Sequence, residues 1–300
     1  MAIVRRADPV DLAIPDAREV TRGVIRSRLR RWLPISIGIA MAVTMVIVAA
    51  AAPLIAPLSP SAQYADAVLK GPGAADRHVL GTDEFGRDVY SRIIWGARVS
   101  LEVGLVSVAF AFALGVPLGI LAGVLAGRVE LLIMRCADML MAFPTLLLAL
   151  IIVAALGGSL MNEMLAIGVA LTPNFVRLAR SLALTIREQD YIMAARALGS
   201  GQVRVMARHV FPNALYALVV IATLYIATAI RTEASLSFLG LGIPPPTPSW
   251  GNILSEGRQY IKCCPWITTF SGLAIMAAVL AFNLMGDALR DLLDPRLKGE

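Results

Sequence analysis

Charge is scarce along this 300-residue chain. Asp, Glu, Lys and Arg make up 16% of it, against about a quarter in typical soluble domains. Hydrophobic residues fill 58% and the mean hydropathy is +0.73. A soluble globular protein is therefore excluded, and so is a disordered one, because so apolar a chain would aggregate rather than stay solvated. Histidine is limited to His78 and His209, too few for a metal centre. The three cysteines, Cys136, Cys263 and Cys264, contain no CxxC pair and build neither a disulfide framework nor a zinc site. Lysine is confined to Lys70, Lys262 and Lys298, none of them preceded by glycine and followed by Ser or Thr, so no Walker A loop is present. HExxH and GxSxG are missing too, and neither histidine lies in an apolar run, which argues against an intramembrane enzyme.

What remains is a chain whose natural solvent is the bilayer. A spanning helix needs about 20 mainly apolar residues. Gaps between charged residues supply six such segments, at about Leu33–Ala56, Val99–Ala126, Leu132–Leu156, Asn162–Leu178, Asn213–Ile230 and Trp266–Gly286. The fourth is the weakest, with Glu163 near one end and Arg177 near the other. A further charge-free gap, ASLSFLGLGIPPPTPSWGNILS between Glu233 and Glu256, holds Pro244, Pro245, Pro246 and Pro248 and cannot continue a helix. It reads as a short helix that enters the membrane edge and returns, within a re-entrant segment 231–265, covered by protein. The expected class is an all-α polytopic membrane protein of six transmembrane helices.

Orientation follows from the basic residues. With both termini in the cytoplasm, 19 of the 27 Lys and Arg lie inside and 8 outside. The net charge of +6 then marks cytoplasmic loops rather than nucleic-acid binding. The resulting plan is a basic cytoplasmic tail (1–32), a first span (33–56), an external loop with a surface helix (57–98), a core of five spans (99–289) and a cytoplasmic tail (290–300). Pro57 to Ala75 is the one linker-like stretch. The first apolar run is longer than a signal-peptide core, so it reads as an uncleaved anchor.

Two patterns inside this plan suggest contacts. Gly115, Gly119, Gly123 and Gly127 recur every four residues and form one ridge along the second span, suited to close helix packing against this chain or a partner. Pro117 in the same span should kink or loosen it. The cytoplasmic loop 180–212 is the longest hydrophilic segment between spans. Within it Tyr191, Ala194, Ala195 and Leu198 fall at i, i+3, i+4 and i+7, so a short helix would present a smooth apolar stripe ending at Gly199. Such a stripe needs a groove to lie in. Alternatively the helix rests on lipid, with Arg187, Arg196 and Arg204 toward phosphates.

These residues carry a resemblance. Ala194, Ala195, Gly199 and Pro212 fit the loop signature of bacterial ABC importer permeases: two alanines, three residues, glycine, nine residues, then a four-residue segment ending in proline. His209 stands where many relatives have isoleucine, Phe211 where they have leucine, and Met193 replaces the usual leading glutamate. GTDEFGRDVYSRIIWGARVSL (Gly81 to Leu101), ASLSFLGLGIPPPTPSWG (Ala234 to Gly251) and AFNLMGDALRDLLDPRLKG (Ala281 to Gly299) resemble the C-type permeases of the dipeptide, oligopeptide and nickel branch. The likeness covers roughly residues 30 to 299. It implies the type I ABC importer permease fold in a bacterial inner membrane. It also implies a homologous B-type permease, two ABC ATPase subunits holding the ATP and Mg, and an external solute-binding protein as partners, with membrane lipid around the spans. Tyr191, Ala194, Ala195, Arg196, Leu198, Gly199, His209 and Pro212 would form the ATPase-docking surface. The chain itself would hold no cofactor and would not be an enzyme. Peptides are the implied cargo, with nickel chelates or glutathione as alternatives within the family. A proton-coupled secondary carrier is the alternative outside it, disfavoured because charges avoid the middle of the spans and no two halves repeat.

Outside the membrane, Asp83, Glu84 and Asp88 lack EF-hand spacing and read as a capped turn, with Arg87 and Arg92 anchoring the following helix to carboxylates. His78 reads as a solvated side chain. Glu102, Asp138, Glu163, Arg177, Arg231, Glu233 and Asp287 all fall near span ends, where snorkelling and salt bridges are expected. Arg231 and Glu233 are the candidates for lining the external mouth.

Overall fold

A computed structural model describes residues 36–74 and 77–293. The predicted N-terminal tail, the first residues of the first span and most of the C-terminal tail lie outside them. α1 (Ser36–Ala50) leads through α2 (Ala52–Ile55) and a loop into α3 (Val89–Leu125). Then come α4 (Gly127–Met141), α5 (Thr145–Leu156), α6 (Leu160–Arg187), α7 (Asp190–Ala197), α8 (Gln202–Val205), α9 (Phe211–Phe238), α10 (Trp250–Gly257) and α11 (Trp266–Leu293). A π-helical turn, Met206–Val210, joins α8 to α9, so that Gln202–Phe238 forms one 37-residue rod.

Helix starts follow local capping chemistry. Asp88 accepts from Ser91 N at 2.8 Å to open α3, Ser159 from Asn162 N at 3.1 Å to open α6, and Ser249 from Asn252 N at 3.1 Å to open α10. The π turn sits one turn ahead of Pro212, whose ring and missing N–H are incompatible with a regular i→i−4 ladder.

Gly38 of α1 lies against Leu284 and Met285 near the end of α11, and α3 and α6 run parallel. Among the described residues, three helices are long and apolar enough to cross a membrane: α3, the Gln202–Phe238 rod and α11. The α4–α5 pair makes a fourth if its halves are taken together. α1 is shorter within the described residues, and α6 carries Glu163, Arg177, Arg180 and Arg187 along its length.

The structure departs from the sequence expectation in three places. The third predicted span is two helices bent by 88°, because Pro144 disfavours helical backbone at Phe143 and cannot continue the ladder. The surface helix expected before the second span is simply the first turns of α3, which the Asp88 cap starts ten residues before Val99. No separate re-entrant helix follows the fifth span. α9 continues to Phe238, and the proline-rich segment folds back so that the Asn252 amide donates to the Ile243 carbonyl at 2.6 Å. α10 then packs against α3, α9 and α11.

Lipid tails offer no hydrophobic advantage to helix association, so close van der Waals packing has to hold such a bundle. Small residues supply it. A Cβ at Gly115 would meet Phe175 Cβ at 2.7 Å, and one at Gly123 would meet Ala183 Cβ at 2.7 Å. At Gly119 it would meet Ala179 Cβ at 2.7 Å and run into the Val176 carbonyl. The predicted ridge thus seats α3 on α6 of the same chain. Gly127 does not belong to it: no side chain approaches, and the residue sits at φ +63° in the reversal from α3 to α4. Gly168 of α6 against Phe110, and Gly104 of α3 against Ile230 of α9, extend the tight packing. At the centre Phe175 stacks edge-on against Phe112 at 5.7 Å and tilts against Tyr225 at 5.2 Å.

Candidate functional site

α7 stands at one end of the bundle and is held there from one side only. Ile192 is fully buried, in the same core as Val205 and Val210 of the next turns. Opposite it, Tyr191 is 46% and Leu198 88% exposed, Ala194 and Arg196 are exposed, and Ala195 is half-buried. Gly199, at φ +86°, ends the helix. Its N–H donates to the Arg196 carbonyl at 2.9 Å and that of Ser200 to the Ala195 carbonyl at 3.0 Å, the paired bonds of a Schellman turn. His209, half-buried in the π turn, faces the Tyr191 ring at 6.2 Å, and Pro212 is exposed just beyond. The structure therefore brings every predicted docking residue to one end of the bundle, with the apolar stripe of α7 uncovered. Ile192, which anchors this helix, was missed by the sequence reading, although its place opposite the stripe was the available signal.

Ion pairs tie the surrounding helices together. Arg180 Nε bonds Glu130 at 2.7 Å and Arg177 bonds Asp138 at 2.7 Å, fastening α4 to α6. Arg187 donates to the Gly123 carbonyl at 2.9 Å, joining the ends of α6 and α3. Asp138 and Arg177 thus make the expected salt bridge.

The opposite end of the bundle is sealed by a buried ionic knot. Asp83 accepts from Arg87 Nε at 2.6 Å, from Arg92, and from the backbone N–H groups of Phe85 and Arg87. Arg87 and Arg92 also reach Glu256 of α10 at 2.8 and 2.7 Å. Asp83, Glu84 and Glu256 lie close enough to ligate one ion. Two guanidiniums already occupy the first and third, which makes this an ion-pair cluster rather than a metal centre. Burial pushes the Glu84 carboxyl above the usual carboxylate range, and Asp83 and Glu256 add to the effect. His78, expected to be solvated, is instead buried and bonds Asp88 at 3.0 Å through Nδ1. Asp83→Ala should cost about 3 kcal/mol by leaving two buried guanidiniums underpaired. The check is the unfolding midpoint of the purified protein, with Glu256→Gln, at a more exposed site, costing less.

The cysteines beside this knot are free thiols. Cys264 Sγ lies 2.9 Å from Cys263 Sγ, and burial together with that neighbour pushes the Cys264 thiol up to about 11.

Arg231 and Glu233, predicted together at the external mouth, point different ways. Arg231 is exposed on the wall of a cavity of about 380 Å³. Glu233 is fully buried and accepts from Ser237 Oγ at 3.0 Å and Ser100 Oγ at 3.2 Å. Glu163 is fully buried as well, and neither of its oxygens has a hydrogen-bond partner among the described residues. Snorkelling was the wrong expectation for these two, because both face the interior of the bundle and not its rim.

Comparison with known proteins places this geometry in context. Residues 115–299 match the family described as binding-protein-dependent transport system inner membrane component. The chain is 45% identical over 249 residues to the dipeptide transport system permease protein DppC of Alkalihalophilus pseudofirmus, covering 82% of this chain and 81% of that one. It is 46% identical over 265 residues to the di/tripeptide transport system permease protein DppC of Pseudomonas aeruginosa, covering 87% and 88%. A putative peptide transport system permease protein of Brucella abortus is 42% identical over 294 residues, 98% of each chain. Among solved structures, an inward-facing conformation of the MetNI methionine ABC transporter superposes with a TM-score of 0.57 at 21% identity, covering 68% of this chain and 97% of that one.

Proposed function

The chain belongs to the binding-protein-dependent transport system inner membrane components, as a permease of the peptide branch of ABC importers, and from that premise we propose that it forms half of a translocation pathway for di- or oligopeptides across a bacterial inner membrane. A homologous B-type permease supplies the other half. Two ABC ATPase subunits carry the ATP and Mg, the Tyr191–Gly199 segment docks in a groove on one of them from the cytoplasmic side, and an external solute-binding protein delivers the cargo to the opposite end.

The observation that carries this reading is the uncovered stripe of α7. An apolar helix face held rigidly from behind by Ile192, ended by a glycine turn and joined to a 37-residue rod, is built to transmit a push. Closure of the ATPases drags α7. Because α6 and the Gln202–Phe238 rod flank it, both reorient and the pathway opens to the other side.

Mild-detergent purification of the tagged chain from its native membrane tests the assembly. A second permease and an ATPase should accompany it, and reconstituted vesicles should take up a dipeptide with ATP, unaffected by an ionophore. Purification of the chain alone, or uptake abolished by the ionophore, would favour a proton-coupled carrier. Uptake of a nickel chelate or glutathione in place of dipeptides would move the cargo within the family.

A further inference from the structure

Arg231 is the cation of an open, largely apolar cavity that it shares with the hydroxyl of Ser235. Its roughly 380 Å³ are walled by Leu146 of α5, Phe238 of α9, Leu254 of α10 and Ile275 of α11, with Arg231 on α9 reaching the same space. No carboxylate lines it, and among the described residues Arg231 has no ion-pair partner. Glu233 on the same helix turns inward to Ser100 and Ser237, and Glu256 of α10 pairs with Arg87 and Arg92. Arg258, which has no ion pair among the described residues, places its guanidinium 5.0 Å from the centre of the ring of Phe238, one of the wall residues. The site therefore presents positive charge against apolar walls, a setting in which a guanidinium binds a planar oxyanion through two parallel N–H bonds.

We propose that this cavity receives the terminal carboxylate of the transported peptide, with Arg231 as its ligand. The inference rests on the peptide-import reading above. A carboxylate is the anionic group that every unmodified linear peptide carries whatever its side chains, so one arginine against apolar walls serves mixed cargo. Position supports the assignment. Arg231 lies near the far end of the Gln202–Phe238 rod, whose other end adjoins α7 across Gly199 and Gly201. At 1.5 Å per residue that rod is about 55 Å long. The other walls come from α5, α10 and α11, so any tilt of the rod changes the width of the cavity. Docking-driven motion and the grip on the carboxylate are thereby mechanically joined.

The test is a charge series at this position in the complete reconstituted importer, with saturating binding protein and dialanine as the probe. Import should fall in the order Arg, Lys, Gln, Glu, with Arg231→Gln lowered roughly ten- to a hundredfold, the range of a charged hydrogen bond, and Arg231→Lys partly retained. The amount of assembled complex in the membrane should stay unchanged across the series. Dialanine amide, wherever it is imported, should be insensitive to Arg231→Gln. Import independent of charge at this position would overturn the proposal. So would equal loss for acid and amide that depends on anionic lipid in the vesicles, since that would identify a lipid phosphate as the bound anion. If the unsubstituted complex imports no peptide with ATP, the peptide-import reading itself fails, a result distinct from import that ignores Arg231.

Discussion

A chain carrying Gly119→Leu is expected to yield no stable protein in detergent. The glycine faces the Val176 carbonyl and Ala179 Cβ of α6, and the backbone N of Arg180 would stand 3.0 Å from an added Cβ. None of these is the movable tip of a long side chain. Relief must therefore come from pushing two helices apart, and separation at Gly119 also loosens Gly115 and Gly123, which sit in register on the same neighbour. Overpacking a core costs about 1–3 kcal/mol for modest insertions. Here four carbons enter a helix contact, and the loss should exceed about 5 kcal/mol, comparable with a whole domain's stability. Alanine at positions 115, 119, 123 and 127 provides the graded comparison. The first three should lower the unfolding midpoint by several degrees each, whereas Gly127→Ala meets open space and loses only about 1 kcal/mol from its left-handed backbone. Equal effects at all four positions would refute the α3–α6 seating.

Ala195→Asp is expected to produce the opposite profile: a folded, membrane-inserted chain that does not transport. Ala195 is the half-buried member of the stripe and is not part of the core that Ile192 anchors, so stability should change by no more than about 0.5 kcal/mol. Buried in an apolar groove of an ATPase, however, the new carboxylate would be unpaired. Such charges cost about 2–5 kcal/mol at interfaces, equivalent to roughly 30- to 5,000-fold in affinity. Uptake should fall to background and the ATPase should be lost on purification, while the partner permease is retained. Ile192→Asp separates the two faces of α7, because it should unseat the helix itself and lower thermal stability. Undiminished transport by the Ala195→Asp protein would remove α7 from the coupling path.

The limits of sequence reading are visible at particular residues. The stripe on α7 was legible because it is local: four residues at helical spacing and a glycine stop lie within nine positions. The ridge at Gly115, Gly119 and Gly123 was legible as a ridge, yet its neighbour was not, since spacing describes one helix and is silent about what lies beside it. Gly127 shared the spacing but fell two residues past the end of α3, where helical periodicity ceases to apply. The bend at Pro144 carried a signal in the proline itself, which the uninterrupted hydropathy of Leu132–Leu156 obscured.

By itself, then, the sequence determined the class of protein, the approximate helices and the apolar stripe of α7. Apolar content, helical period and capping residues act over a few positions, and the bilayer admits few other solutions for such a chain. Only the tertiary structure decided where the charges went. Arg87 meets Glu256 across 169 positions, and Ser100 meets Glu233 across 133. Glu163 and Glu233 sit inside the bundle, while Arg231, two residues from Glu233, opens onto a cavity. Whether a charged side chain at a helix end faces solvent, lipid or a partner depends on the rotation and crossing of helices packed around it, and those are set by the fit of side chains far apart in the chain.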